Sequence, residues 1–286
     1  MKSYRFFILL LIMSLATACA EEKHKYVIGV SQCSDDEWRH QLNAELIREM
    51  AFHPEVKMEI VTAYGSNEKQ ISDIEEFTRR QVDVIIVAPN EADPITPVVE
   101  KAYDSGIPVI LVDRKIKSDK YTAYIGADNY DIGLRAGEYV KSRIDGHRPV
   151  RIAEVSGMRA STPAEDRHNG FSDALGDMEG VQVRSIEADW TYDTAFMKFS
   201  QMLAADKWLP DIIFAHNDMM AKAAYAAALN AGCEQDMILV GVDALGGKGL
   251  GVDLVSNGVL DASLVYPTGG YKVAQVVMAV LEGAPY

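Results

Sequence analysis

Short apolar runs alternate with amphipathic stretches along the chain from residue 25 onward. The run at 82–88 is apolar almost throughout, which is typical of a strand in a parallel sheet buried on both faces. The stretch 66–80 instead carries Ile71, Ile74 and Phe77 at helical spacing behind Ser66, which predicts a helix capped by that serine. The same patterns predict strands at 26–30, 56–63, 82–88, 109–113, 121–127, 150–156, 181–188, 211–216, 237–242 and 260–265. They predict helices at 35–52, 66–80, 94–105, 129–144, 163–175, 191–205, 218–230, 246–257 and 268–281.

This regular alternation of strands and helices predicts an α/β protein with parallel sheets. The number of units is more than one sheet comfortably holds, so we expect two doubly wound parallel-sheet lobes. In the first helix, Leu42, Leu46, Ile47 and Met50 should share the buried face.

The composition agrees with a globular protein and narrows its class. Hydrophobic residues make up 48% of the 286 residues and charged residues 24%, which is enough apolar material for a real core. The net charge is −14, and the sequence has no cluster of Lys and Arg. Nucleic-acid binding depends on such clusters, so nucleic acid is not an expected partner.

The N-terminus has the pattern of an export signal. Lys2 and Arg5 precede an apolar run at 6–15, and the small residues at 16–18 resemble a cleavage site just before Cys19. We therefore expect a signal peptide at 1–18, a linker at 19–25 and a periplasmic location. Lipidation of Cys19 and plain secretion remain equal alternatives, and a membrane span that follows the chain could also anchor it.

Motifs for other chemistries do not appear in the sequence. The Gly246–Gly249 stretch lacks phosphate-loop spacing, the six His residues show no metal spacing, and no G-x-S-x-G elbow accompanies His216. We expect no enzyme activity, no cofactor and no metal. Cys33 and Cys233 should be free thiols in different parts of the fold, although export permits a disulfide.

Polar and aromatic side chains follow several predicted strands at the point where each strand ends. Ligands of open α/β sheets bind in the crevice outside these carboxyl ends. Carboxylates, amides and guanidiniums hydrogen-bond to hydroxyl groups, and aromatic rings cover the C–H face of a sugar. This mixture predicts a site for a small polyol, a sugar above all. The candidate residues are Ser31, Asp35, Trp38, Asp113, Arg114, Arg167, Trp190, Asn217, Asp243 and Tyr266.

Each candidate also has a structural interpretation. Asn217 and Asp218 could cap the helix that follows, and Asp113 and Arg114 could form a structural ion pair. Trp38 at helical spacing could belong to the core. The functional interpretation depends on all of them lying at one end of the sheets.

Six stretches of the sequence match the motifs of a known family: VIGVS at 27–31, IPVILVDR at 107–114, IGADN at 125–129, DRHNGF at 166–171, AHNDMMA at 215–221 and LVGVDA at 239–244. With these stretches the chain resembles the periplasmic sugar-binding proteins of the ribose-binding type, whose fold is shared by the effector domains of lactose-repressor-like regulators. The resemblance implies a type I periplasmic binding protein fold, with lobes at 25–127 plus 267–286 and at 128–266. Hinge crossings are implied near Ala127 and Tyr266.

The resemblance also implies roles for the site residues. Asp113 and Arg114 would bind ring hydroxyls from the first lobe, and Arg167, Asn217 and Asp243 from the second. Trp190 falls where the family has a stacking aromatic, and Asp35 and Trp38 fall where it has an amide and an aromatic.

Two features depart from the ribose-binding pattern. The segment QCSDDEWR at 32–39 replaces an N-x-P-F-F-like loop, and Tyr266 stands where many members have Gln. This loop resembles the sensor half of hybrid two-component histidine kinases from gut bacteria. The family fold has another crossing and a closing strand beyond Tyr286, so we expect an extracytoplasmic part of a longer protein or a truncated reading frame.

The expected ligand is therefore a monosaccharide, a pentose or hexose such as ribose or fructose. The expected partner is a membrane permease or a membrane-spanning kinase, with a homodimer in the sensor case. A regulator's effector domain would need an N-terminal DNA-binding helix-turn-helix where this chain has its export signal. An exported enzyme remains the third alternative, and product formation from a sugar would reveal it.

Overall fold

The computed structural model describes residues 24–144, 149–206 and 208–286, which form ten strands and nine helices. The strands are β1 (Tyr26–Gln32), β2 (Val56–Thr62), β3 (Val84–Val87), β4 (Val109–Val112), β5 (Ala123–Ile125), β6 (Val150–Ser156), β7 (Val181–Glu187), β8 (Ile212–Ala215), β9 (Ile238–Asp243) and β10 (Ala262–Val265). The helices are α1 (Glu37–Met50), α2 (Asn67–Arg79), α3 (Ala92–Asp104), α4 (Asn129–Ser142), α5 (Thr162–Leu175), α6 (Tyr192–Asp206), α7 (Asp218–Asn230), α8 (Gly251–Ser256) and α9 (Gly270–Glu282).

The strands form two five-stranded sheets, in the orders β2-β1-β3-β4-β5 and β10-β9-β8-β6-β7. Every strand pairing in these sheets is parallel. We refer to the first sheet with its helices as the first lobe, and to the other sheet with its helices as the second lobe. The predicted fold class, two doubly wound parallel-sheet lobes, is confirmed.

The sheet centres are buried on both faces, as continuous apolar strands require. All residues of β3, β4 and β8 are buried. In the second lobe, Phe171 of α5 stacks on Phe214 of β8 with ring centroids 4.5 Å apart. The last helix, α9, returns to the first lobe and packs against α1, where Glu45 accepts hydrogen bonds from the Thr268 hydroxyl and from the Gly270 backbone N–H.

Helix starts follow the polar residues that end the preceding loops. The side chains of Asp36, Ser66, Asp128 and Asn217 each accept a hydrogen bond from a backbone N–H in the first turn of the next helix. The predicted cap at Ser66 is confirmed, and these caps hold the strand-end loops in place.

Two local predictions are wrong. The helix predicted at 246–257 begins only at Gly251, because Gly247 and Gly249 have φ angles of 134° and 76°, which a right-handed helix does not accept. Ile47 was expected on the buried face of α1 but is 56% exposed, whereas Leu42, Leu46 and Met50 are buried.

The predicted signal peptide, Cys19 and the linker up to residue 23 lie outside the described residues. Within the described part of the chain, no helix is long and apolar enough to span a membrane. Cys33 and Cys233 are both free, as predicted, with Cys33 buried and Cys233 partly buried.

Candidate ligand-binding site

A cavity of about 480 Å³ lies between the lobes, at the carboxyl ends of the strands. This volume falls in the range of small-molecule sites, and the position is the one that open α/β sheets use for ligands. Nine of the ten predicted site residues line it: Asp35, Trp38, Asp113, Arg114, Arg167, Trp190, Asn217, Asp243 and Tyr266. The structure therefore brings together side chains that are far apart in sequence.

Asp113 lies at the centre of the first-lobe wall. One carboxylate oxygen accepts a hydrogen bond from the Tyr266 hydroxyl at 2.6 Å, and the other accepts one from Arg39. The Nε atom of Arg114 lies 3.5 Å from that second oxygen. Burial alone would raise the pKa of Asp113, but the charges of Arg39 and Arg114 outweigh burial, and the pKa is lowered from its ordinary value. Asp113 is therefore ionised at neutral pH.

Arg114 and Trp190 meet across the lobes. The Arg114 guanidinium donates to the backbone carbonyl of Asn90 at 2.8 Å and lies 5.6 Å from the centre of the Trp190 ring. The Arg167 guanidinium, from the second lobe, lies 5.5 Å from the same ring. Trp190 is thus flanked by a cation from each lobe, in the range of cation–π contacts.

Arg167 is buried and held by the protein on two sides. Its Nε atom donates to the Asn129 side chain at 2.9 Å, and its Nη1 atom donates to the backbone carbonyl of His216. Asn129 in turn donates to the Tyr266 hydroxyl at 3.3 Å. A chain of hydrogen bonds therefore joins Arg167 of the second lobe to Asp113 of the first.

Asn217 has the capping role that the sequence analysis considered for it. Its side-chain oxygen accepts from the backbone N–H of Met220 at 2.8 Å, which caps α7, and its amide nitrogen donates to the Trp190 carbonyl at 3.1 Å. Asn217 also lines the cavity. The cap fixes the side chain at the cavity wall, so the structural and ligand-binding interpretations do not compete.

Two further carboxyl groups lie at the end of β9. Burial raises the pKa of Asp243 well above its ordinary value, although the charge of Arg167 opposes the rise. Burial also raises the pKa of Asp218 to about 6, against its hydrogen bonds with the Ser263 hydroxyl and the Ala244 backbone N–H. Asp218 thereby ties the residue after Asp243 to the start of α7.

Ser31 and Asp35 differ from the other predicted residues. Ser31 is fully buried behind the cavity wall, where its hydroxyl accepts from Gln70 at 3.3 Å, so it is not among the lining residues. Asp35 lines the cavity mouth with half of its side chain exposed, and it pairs with His40 at 2.7 Å. Ser31 faces inward, where Gln70 of α2 donates to both its hydroxyl and its backbone carbonyl.

Three of the predicted site residues that line the cavity have left-handed backbone conformations that are uncommon outside glycine. The φ angles are 66° at Asp113, 67° at Trp190 and 117° at Asp243. Such backbone strain concentrates at functional sites, where the surrounding structure maintains it. Asp113 and Trp190 follow strands, and Asp243 is the last residue of β9, so all three lie where the chain turns beside the cavity.

The sequence analysis missed two residues of this network. Arg39 is buried and binds Asp113, and Asn129 links Arg167 to Tyr266. Arg39 had a detectable signal, since it is a cation near the start of a predicted helix, where a negative charge is favoured. Among residues 24–144, 149–206 and 208–286, no cluster of His, Cys, Asp and Glu could hold a metal ion.

Comparison with known proteins agrees with this geometry. The family model described as "Periplasmic binding protein domain" matches residues 28–285. The chain belongs to this family. The family implies a periplasmic location.

Curated relatives are similar over most of the chain. A ribose import binding protein of Bacillus subtilis is 27% identical over 250 residues, covering 82% of this chain and 79% of the relative. A galactofuranose-binding protein of Escherichia coli is 28% identical over 240 residues, covering 82% and 74%. These relatives are binding proteins, in agreement with the prediction that the chain is not an enzyme.

Solved structures confirm the fold. The fructose-binding periplasmic domain of a hybrid two-component system superposes with a TM-score of 0.87 at 48% identity, covering 91% of this chain and 86% of that one. A Mycobacterium smegmatis protein in complex with β-D-fucofuranose gives a TM-score of 0.84 at 28% identity, covering 91% and 87%.

Proposed function

We propose that this protein binds a free monosaccharide in the cavity between its lobes, with fructose as the first candidate. The observation that carries the proposal is the cavity itself, whose walls combine an ionised carboxylate, three buried guanidiniums and two tryptophans. Fructose comes first because the similar structure at 48% identity is a fructose-binding domain. The relatives that bind ribose and galactofuranose support sugars as the ligand class.

In the proposed complex, Asp113 and Arg114 bind ring hydroxyls from the first lobe, and Arg167, Asn217 and Asp243 bind them from the second. Trp190 covers the C–H face of the ring, where its large rigid surface is most effective. Asp243 gains hydrogen bonds from the sugar hydroxyls, which offset the burial of its carboxyl group.

A sugar that is bound by both lobes favours the closed arrangement of the lobes, and this closure is the change that a permease or a kinase would recognise. The proposed lobes are 25–127 with 267–286, and 128–266, with hinges near Ala127 and Tyr266. Two facts support these limits: the first sheet lies within residues 26–125 and the second within 150–265, and α9 packs on α1.

Calorimetric titration of the purified chain with fructose, ribose, galactose and arabinose tests the proposal. We expect saturable binding of one of these sugars, together with a rise in melting temperature that grows with sugar concentration, since the sugar binds only the folded state. The absence of binding to all four sugars would contradict the proposal. Conversion of the sugar to a product would instead favour an exported enzyme.

A second proposal concerns what sugar binding leads to, either signalling or transport. The similarity to the domain of a hybrid two-component system at 48% identity supports sugar sensing over transport. Deletion of the gene separates these outputs. Loss of sugar-induced transcription with normal uptake of radiolabelled sugar would indicate sensing, and the reverse result would indicate delivery to a permease. A sensor would also form a homodimer, which light scattering with and without sugar would detect.

We further propose that a signal peptide at 1–18 exports the protein and that Cys19 is lipidated. The basic start, the apolar run and the thiol just after the cleavage site support this arrangement. Mass spectrometry of the mature protein tests it, since a lipidated N-terminal Cys19 carries the mass of its acyl chains. Replacing Cys19 by Ser should then release the protein from the membrane fraction.

A further inference from the structure

Arg39 lies in the first turn of α1 and lines the cavity beside Asp113. Its side chain is 4% exposed, and Nη2 donates to the same Asp113 oxygen that lies 3.5 Å from Arg114. The residue belongs to the loop that departs from the ribose-binding pattern.

A cation at this position is energetically unfavourable. The N-terminus of a helix carries a partial positive charge, which disfavours a guanidinium in the first turn. Burial adds a larger cost, because a buried charge is tolerated only when it is paired and hydrogen-bonded. Local physical rules are broken in this way mainly at functional sites.

Arg39 is also incompletely paired. Of its donor nitrogens, Nε and Nη1 are buried and find no hydrogen-bond acceptor in the described part of the molecule. Leaving a buried donor unsatisfied is unfavourable, because the group loses its hydrogen bonds to water and gains no partner. Unsatisfied groups of this kind are rare in folded proteins, and a functional role is one of their explanations.

The acidic residues of the same loop do not supply these acceptors. Asp35 pairs with His40, and both oxygens of Asp36 are occupied, one by the Arg39 backbone N–H at 2.9 Å and the other by the Ser34 hydroxyl at 2.6 Å. The Trp38 indole N–H is occupied as well, since it donates to the Tyr266 carbonyl at 3.2 Å. Although the loop is rich in acidic residues, the group that it places beside Asp113 is a hydrogen-bond donor, the Arg39 guanidinium.

We infer that Arg39 binds the sugar directly and helps to determine which sugar the site accepts. A hydroxyl group both donates and accepts, so one sugar hydroxyl can donate to Asp113 while its oxygen accepts from Arg39. Charge-assisted bonds of this kind are the stronger ones, and they reject an analogue that lacks the hydroxyl. The inference deepens the proposed function and rests on it.

The test combines variants of Arg39 with derivatives of the sugar that the wild-type protein binds, each lacking one hydroxyl. Arg39→Met removes the guanidinium, and Arg39→Lys keeps the charge beside Asp113 but removes the planar fork. Arg48→Met on the exposed side of the same helix is the matched control, since its side chain is 64% exposed. Calorimetry gives each affinity, and the melting temperature of the sugar-free variants reports folding.

We expect Arg39→Met to weaken binding of the parent sugar by about 10- to 100-fold, as the loss of a charged hydrogen bond does. We also expect the penalty for removing one particular hydroxyl to shrink by about tenfold in this variant, while the penalties for the other hydroxyls stay unchanged. Arg39→Lys should fall between wild type and Arg39→Met, and Arg48→Met should match wild type.

An equal loss for every derivative would overturn the inference, because it would mean that Arg39 acts only by positioning Asp113. Unchanged affinity for the parent sugar would overturn it as well. If the wild-type protein bound no monosaccharide at all, the proposed function itself would fail and the inference with it. If the wild-type protein does bind a sugar, an equal loss for every derivative or an unchanged affinity for the parent sugar rejects only the role of Arg39, and the proposed function stands.

Discussion

Replacement of Asp113 by Asn is the sharpest test of the central network. Asp113 carries the negative charge between Arg39 and Arg114, and it accepts the Tyr266 hydroxyl. Asn keeps the size and one acceptor oxygen but removes the charge. The substitution therefore leaves two buried guanidiniums without their counter-ion, while the shape of the cavity is almost preserved.

The size of the effect follows from burial. Asp113, Arg39 and Arg114 are 6%, 3% and 5% exposed, so solvent screens this cluster poorly. Removing one partner of a buried ion pair costs about 3 to 5 kcal/mol. We expect a loss of that size in the free energy of unfolding at pH 7. We also expect sugar binding to weaken by about 10- to 100-fold, because a charged hydrogen bond to the ligand is lost.

The pH dependence gives an independent check. The pKa of Asp113 is lowered in the folded state, so its contribution to stability is fully present above the unfolded pKa, about 3.9 for Asp. That contribution is lost as pH falls through the folded pKa. The stability difference between wild type and Asp113→Asn should therefore be constant from pH 7 down to about pH 4 and should shrink below it.

Urea unfolding and calorimetry measure the two effects. Asp119→Asn, an exposed change in the loop that follows Asp113, is the matched control and should leave stability and affinity unchanged. Sugar affinity within about threefold of wild type in Asp113→Asn would refute the proposed site. A stability loss below about 1 kcal/mol would refute the argument from the buried charge network.

Three further predictions address the second lobe. Asn217→Ala should lose the cap of α7, which is worth about 1 kcal/mol of unfolding free energy, and should also weaken sugar binding. Asn217→Ser should keep the cap and lose only sugar affinity. Thermal melts measure the loss of stability, and calorimetry measures the loss of affinity. Trp190→Ala should cost about 2 kcal/mol of binding free energy, and tryptophan fluorescence of the wild type should change on sugar addition. The pKa of Asp243 is raised in the sugar-free protein, and the sugar hydroxyls should favour its ionised form. Sugar affinity should therefore fall as pH falls through this pKa. Asp243→Asn should remove the pH dependence in calorimetric titrations.

Much of the fold could be predicted from local sequence patterns. The continuous apolar strands and the polar caps depend on side-chain burial and on hydrogen bonds within a few residues, which are visible in the sequence itself. The strand at Val150–Ser156 and the helix at Asp218–Asn230 were predicted with their observed ends. The helix predicted at 246–257 failed because its glycines adopt left-handed conformations, and only the folded backbone reveals these.

The location of the candidate site was predictable for a related reason. In a parallel sheet the carboxyl ends of the strands share one edge, so residues that directly follow strands, such as Asp113 and Asp243, have to lie near the crevice. This rule does not say which way a side chain turns. Ser31 also ends a strand, yet it faces Gln70 behind the cavity.

The sequence by itself determined the α/β class and the set of strand-end residues, because each depends on local composition and periodicity. Only the tertiary structure decided how those residues are paired. Arg39, Asp113 and Tyr266 meet although they are separated by 74 and 153 positions along the chain. The pairing of buried charges depends on such distant contacts. The sequence therefore shows the loop at 32–39 as acidic, and only the folded chain shows that it places the Arg39 guanidinium beside Asp113.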